Sequence, residues 1–330
     1  MKWREFTVGL ALAAAVPPVQ SEEPPKEHRI AIVMTAGPVS RASDTGNPFW
    51  QAFWQELRRL GDAEGQNLTV ERYSGEGRPE GYADLAREVV GRTPEAIIAN
   101  TATAQAVRTA TDTIPIVWVG ADPIRAGLVA SLARPAGNIT GVSVDAGIEI
   151  WGKRLQILKE AVPVATKVAV LATPSAWQIG DGIGLREANQ RLAIALTPVL
   201  LQEASPSEVQ RLFAEIAQLR PDAVIVSAAP EFVPYRQLIV ELAEKHRLPA
   251  MYPYRDYVEA GGLMAYQADQ GELGRHLADD VHEILNGAKP VDIPIYLPTK
   301  FEFLINLRAA KAIGLTLPTM LLDVADEVIE

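Results

Sequence analysis

One plan is written twice in this chain. Thr93-Pro94-Glu95-Ala96-Ile97-Ile98-Ala99 opens the first copy, which runs to Pro123, and Arg220-Pro221-Asp222-Ala223-Val224-Ile225-Val226 opens the second, which runs to Pro253. Each copy passes through a polar turn into a helix and returns as a short apolar strand, Ile114 to Val117 in one and Leu248 to Met251 in the other. Two β-α-β units of one design therefore stand in two halves of the chain. Strands that are apolar along their whole length are buried on both faces, which calls for parallel sheets covered by helices. Ligands of such sheets gather beyond the carboxyl ends of the strands. Two sheets that turn those ends toward each other would hold a ligand between them.

A chain of 330 residues, 48% hydrophobic and 22% charged, has room for two lobes that each bury a core. A formal charge of −10 without any Lys/Arg cluster excludes a nucleic-acid footprint. The absence of cysteine removes disulfides, zinc-thiolate sites and cysteine nucleophiles together. Residues 1–21 begin with Lys2 and Arg4, continue with the apolar run from Phe6 to Val16 and then turn polar, the pattern of a cleavable export signal. That run is too short to cross a bilayer, which takes about 20 residues. Residues 22–27 form a linker, and the prolines around it (Pro17, Pro18, Pro24, Pro25) oppose a docked helix. The mature protein is expected in the periplasm.

Along the mature chain, His28 to Met34 is the first buried strand. Asn47-Pro48 starts a helix whose Phe49, Trp50, Phe53, Trp54 and Leu57 recur at helical spacing, as a core-facing stripe does. The strand ending at Asn100 feeds a helix at Thr101 and Thr103. Their hydroxyls and the free N–H groups there suit a bound carboxylate or phosphate, or simply cap the helix. The next strand ends at Asp122-Pro123, where Asp122 either holds a ligand amine or hydroxyl or caps a helix over 124–132.

In the second half, 173–184 reads as a mobile loop over the cleft, with Trp177 either a lid for an apolar or aromatic ligand or an exposed loop tryptophan without a role. Its glycines 180, 182 and 184 do not make a dinucleotide fingerprint, because Leu185 stands where a third glycine belongs. Ser227-Ala228-Ala229-Pro230 fills the place that Asn100-Thr101-Ala102-Thr103 fills in the first copy. Tyr252, Arg255 and Asp256 follow the next strand. Val291 to Ile295 and Phe301 to Ile305 read as the last strands.

Catalytic machinery is missing from this pattern. His276 and His282 lie six apart on one predicted helix and point to different faces, so they cannot share a metal. No GxSxG, HExxH or Walker sequence occurs. No catalytic residue, metal or cofactor is expected. The one enzymatic alternative would use cleft carboxylates such as Asp122 and Asp256.

A set of segments carries a resemblance. Asp122-Pro123, Gly127-Leu128-Val129-Ala130-Ser131-Leu132-Ala133-Arg134-Pro135, Asn138-Ile139-Thr140-Gly141-Val142, Tyr252-Pro253-Tyr254-Arg255, Glu259 to Tyr266, Pro298 to Glu302 and Ala325 to Glu330 stand in one order across nearly the whole mature chain. In that order they resemble the substrate-binding proteins of ABC transporters related to tryptophan- and tyrosine-uptake binding proteins. The resemblance implies an α/β type I periplasmic binding protein fold, with two Rossmann-like lobes of parallel sheets joined by three hinge crossings near Val142, Tyr266 and Pro298. Lobe I then comprises 28–143 and 267–297, and lobe II comprises 144–266 and 298–330.

The implied partners are a small organic ligand (an amino acid, an aromatic acid or another carboxylate) and a membrane permease, with the binding protein itself a monomer. A ligand-binding subunit of a sensory receptor is the alternative within the same fold. The strand ends and the loop offer Thr101, Thr103, Asp122, Pro123, Trp177, Ser227, Ala229, Tyr252 and Asp256 as ligand contacts. The chain departs from its relatives at Lys2-Trp3-Arg4, at Ala136, and in longer stretches over 35–47 and 173–184.

Overall fold

The computed structural model describes residues 27–135, 137–145 and 147–330. The expected export signal and the first five linker residues lie outside the described residues. The first lobe begins with β1 (His28–Met34), α1 (Pro48–Leu60), β2 (Leu68–Ser74), α2 (Tyr82–Gly91), β3 (Ala96–Asn100), α3 (Thr101–Ala110), β4 (Ile116–Gly120) and β5 (Ile139–Ser143). Its five strands pair in parallel in the order β2-β1-β3-β4-β5. Successive strand residues feed opposite faces. Ile30 and Ile32 join one core with Phe53, Trp54 and Leu57 of α1, while Ala31 and Val33 join another with Ile97 and Trp118. The α1 start is as the sequence indicates, with Asn47 Oδ1 accepting from the Trp50 N–H at 3.1 Å and Pro48 in the first turn.

The chain continues through α4 (Glu149–Ala161), β6 (Lys167–Ala172), α5 (Pro174–Ile179), α6 (Asp181–Leu192), β7 (Ala195–Leu200), α7 (Pro206–Leu219), β8 (Ala223–Val226), α8 (Arg236–Lys245), β9 (Ala250–Tyr252), α9 (Arg255–Glu259) and β10 (Met264–Ala268). It ends with α10 (Gln270–Leu285), β11 (Phe301–Asn306), α11 (Leu307–Ile313), α12 (Thr319–Asp323) and β12 (Glu327–Ile329). The second sheet runs β12-β11-β10-β9-β8-β6-β7 and is parallel except where β11 meets β10. Here too both faces are buried, Val168 and Val170 on one side and Ala169 and Leu171 on the other.

The chain passes between the sheets three times. It leaves the first after β5. It returns after β10, so that α10 packs its Leu273, Leu277 and Val281 into the first lobe's core. It crosses again before β11, once Tyr296 has bridged to Val142 at the β5 edge.

The written repeat has a physical basis. Thr93 and Arg220 both take the left-handed backbone that ends a helix, at φ 51° and 48°. Two residues on, Glu95 accepts from the Arg29 N–H at 3.3 Å and Asp222 from the Lys167 N–H at 2.9 Å. Each acid thus fastens the start of the neighbouring central strand, β1 in one lobe and β6 in the other.

Three expectations are corrected. Residues 173–184 form no loop: Thr173 caps α5 by accepting from the Ala176 N–H at 3.2 Å, and α6 follows directly. The glycines there serve close packing. A Cβ on Gly182 would lie 2.1 Å from the Trp177 carbonyl oxygen, and one on Gly184 2.0 Å from that of Ile148, where α4 and α6 touch. Residues 124–132 make turns rather than a helix, with Gly127 in a left-handed conformation at φ 67°. Residues 291–295 are no strand. Pro290 opens a short 3-10 helix, and Pro294 has no N–H to give a ladder.

Candidate functional site

The carboxyl ends of β3 and β4, at Asn100 and Gly120, form the first lobe's candidate edge. Asn100 precedes α3 without a side-chain cap, which leaves the first-turn N–H groups of that helix to other acceptors. The Thr101 hydroxyl accepts from Trp118 Nε1 at 3.1 Å. Gly120 makes room for that pair, since a Cβ there would meet Thr101 Oγ1 at 2.2 Å. Asp122 adopts a left-handed backbone, accepts from the Arg125 N–H at 3.0 Å and pairs with Arg125 Nε at 3.1 Å, so it caps a turn rather than a helix. Pro123 is buried, and its carbonyl holds the Leu128 N–H at 2.9 Å.

In the second lobe, β8 ends just before Ser227 and β9 just before Pro253. Burial raises the Tyr82 phenol's pKa, and Glu80 and then Glu231 add to it; Tyr82 belongs to the first lobe and Glu231 to the short helix that follows β8 in the second.

Several residues singled out by position belong to the lobe interiors. Thr103 is 1% exposed, and its hydroxyl is shared between the carbonyls of Val33 and Asn100, each at 3.0 Å. Tyr252 is stacked on Tyr257 at 5.0 Å between ring centres inside the second lobe's core. Ser227 is fully buried, its hydroxyl 3.4 Å from the Ala229 N–H, and Ala229 packs in the same core as Tyr252. These four were expected from strand-end spacing, which fixes where a residue sits but not which way its side chain turns. Trp177 is half-buried on α5, not on a lid: Arg186 stacks over its ring at 4.7 Å and bonds its carbonyl at 2.7 Å. Asp256 stands half-buried in the first turn of α9. Beside it Arg255 is paired with Glu327 at 2.6 Å and Glu302 at 3.3 Å.

A cluster that spacing did not indicate lies where the first crossing meets the second lobe's strand ends. Arg154, on α4, is 1% exposed, with its guanidinium carbon over the Trp151 ring at 4.2 Å from the ring centre. Its Nε donates to the Tyr266 carbonyl on β10 at 2.9 Å, and its Nη2 to the Pro253 carbonyl beyond β9 at 3.1 Å. Nη2 also faces Asp145 Oδ1 at 4.0 Å, while Nη1 is buried without a hydrogen-bond partner. Asp145 sits on the crossing itself; burial pushes its pKa up and Arg154 counters part of that. Asp181, the first residue of α6, accepts from the Ala228 N–H at 2.9 Å, and the Tyr254 hydroxyl donates to the Ala228 carbonyl at 3.3 Å. Burial raises the Asp181 carboxyl to about 7, with the Ala228 N–H opposing, the Asp145 charge adding and Arg154 opposing. Arg154 and Asp145 are thus held out of water, with the half-buried Asp181 and Tyr254 joined through Ala228 beside them. Among the described residues, no group of three or more His, Cys, Asp or Glu side chains could hold a metal ion.

Residues 45–329 match the family model described as ABC transporter substrate binding protein. The chain belongs to that family. As a member of the substrate-binding protein family it is 26% identical over 274 residues to a tyrosine-binding protein of Clostridioides difficile, a match covering 80% of this chain and 76% of the relative. Among solved structures it is similar to a conserved domain protein from Vibrio cholerae, with 25% identity, 92% of this chain and 100% of the other covered, and a TM-score of 0.81. It also has the fold of an ABC domain from Streptococcus pneumonia in complex with L-Trp, with 22% identity, the same coverage and a TM-score of 0.80. A ligand-free, open substrate-binding protein from Clostridium difficile aligns at 20% identity over 92% of this chain and 99% of the other, with a TM-score of 0.69.

This substrate-binding protein keeps its buried charges on segments that sequence spacing passes over. Arg154 is the one polar member of the stripe Ile150, Trp151, Arg154, Leu155, Leu158, and a cation inside an apolar helix face is the signal that would have found it. Asp181 was hidden by the loop reading, and Asp145 by its place between elements.

Proposed function

We propose that the protein is the extracytoplasmic binding component of an ABC importer and captures a small organic ligand, an amino acid or an aromatic or related carboxylate, between its lobes. The observation that carries this reading is the buried pair Asp145 and Arg154, with the half-buried Asp181 and Tyr254, where the first crossing meets the second lobe's strand ends. Buried charges of both signs match a zwitterion, whose ammonium and carboxylate would otherwise lose hydration without replacement. A named tyrosine-binding relative and a tryptophan-bound structural neighbour support an amino acid over a sugar.

Thr101 at the end of β3, Asp122 beyond β4 and Asp256 in the first turn of α9 are the rim contacts of this reading. The three crossings serve as the hinge, and the lobes close on the ligand. The permease is the partner on the membrane, and the leader 1–21 delivers the binding protein, a monomer, to the periplasm. No helix among the described residues is long and apolar enough to cross a membrane. A thermal-shift screen of amino acids, aromatic acids and short carboxylates tests the reading, because a ligand that binds only the folded state raises the melting temperature. Amino acids should raise it at concentrations near 100 μM, in keeping with a micromolar site of about −8 kcal/mol. A shift by sugars with none by amino acids would overturn the ligand class.

A further inference from the structure

Arg154 has three of its contacts accounted for and one atom left over. Nε and Nη2 hold the carbonyls of Tyr266 and Pro253, and the Trp151 ring at 4.2 Å prevents the guanidinium from swinging toward water. Asp145 supplies opposite charge at 4.0 Å, too far for a hydrogen bond. Nη1 therefore remains a buried, charged donor without an acceptor. Such a group is costly to leave unmade, and native proteins rarely keep one without a use.

Resting on the cleft reading above, we propose that Nη1 of Arg154 is the anchor for the carboxylate of the bound ligand. A carboxylate oxygen there completes the guanidinium's bonds with a charge-assisted one. The same guanidinium keeps hold of β10, the strand the chain follows into its second crossing, and faces Asp145 on the first. The ligand's charge is thereby fixed to two of the three segments that must move when the lobes close. The contact requires a carboxylate, so an amine with the same ring and no carboxylate forfeits it.

The test is isothermal titration of the full chain and of Arg154→Gln with three probes that share one ring: L-tyrosine, tyramine and 3-(4-hydroxyphenyl)propionate. Wild type should bind the better of the two carboxylate probes at least about tenfold more tightly than tyramine, the value of one charge-assisted bond, and R154Q should reduce that ratio to within about twofold. The ratio cancels general damage to the cleft, because every probe shares the ring. Equal binding of tyramine and the carboxylates by wild type, or an unchanged ratio in R154Q, would overturn the anchor while leaving the cleft reading intact. No binding of any of the three by wild type would remove the aromatic amino-acid reading and the anchor with it. Should R154Q not fold, a crystal structure of wild type with L-tyrosine decides. A carboxylate oxygen within about 3 Å of Nη1 supports the assignment, and one beyond 4 Å refutes it.

Discussion

The carboxylate of Asp181 accepts a hydrogen bond from the backbone N–H of Ala228 at 2.9 Å, and it does so with its pKa raised to about 7. A folded-state pKa above the ordinary 3.8 means that folding takes up a proton between those two values. The contribution of Asp181 is therefore most favourable at acid pH and is lost as pH rises toward 7. Asp181→Asn keeps an oxygen for Ala228 but has no proton to release. The stability of D181N minus that of wild type should rise by on the order of 2 kcal/mol from pH 5 to pH 8, read from urea midpoints. A difference that does not vary with pH would place the charge in water.

Gly184 faces a backbone oxygen, which cannot move aside as a flexible side chain would. A Cβ there would stand 2.0 Å from the Ile148 carbonyl and 3.1 Å from the Trp151 Cβ. Gly184→Ala should cost about 2 kcal/mol or more by forcing α6 away from α4. Gly91→Ala is the control. It meets nothing within 4 Å at the end of α2 and should be neutral or slightly stabilising. Chemical denaturation of the two variants side by side separates close packing from the general cost of losing glycine.

The repeated unit made the fold legible, because Glu95 and Asp222 perform one task at two strand starts and the strands between them are apolar on both faces. The site was less legible. Thr101 and Asp122 lie at the strand ends where spacing put them, yet spacing put Thr103 and Tyr252 there too, and those side chains turn into the lobe interiors. A strand end specifies backbone position; side-chain direction depends on the packing of helices that arrive from distant sequence. Arg154 shows the converse. It lies about a hundred residues from Pro253 and Tyr266, whose carbonyls hold it, and only a folded chain brings them together.

Thr103 offers a clean separation of structure from binding. Thr103→Val keeps the shape and removes the bonds to the carbonyls of Val33 and Asn100. It should lower stability by about 1–2 kcal/mol and change the affinity for L-tyrosine or L-tryptophan by less than about twofold. Melting temperature and titration on one preparation report both quantities. A tenfold loss of affinity at unchanged stability would return this hydroxyl to the cleft.

Phe301 occupies the third crossing and belongs to both halves of the molecule. It packs against the first lobe's core and the second's, and its ring stacks on Tyr266 at 5.5 Å with 11° between the planes. Tyr266 is in turn the residue whose carbonyl Arg154 holds, so ring and guanidinium meet on one strand of the second crossing. Phe301→Ala should cost about 2 kcal/mol, less than a fully buried phenylalanine because the ring is only partly buried. Phe301→Leu should recover most of the burial without the stacking, which is worth about 0.5–1.5 kcal/mol. If the crossings act as a hinge, F301A should also raise the radius of gyration of the ligand-free protein in solution scattering, while F301L leaves it near the wild-type value. Equal scattering from all three proteins would confine Phe301 to stability and take it out of the motion.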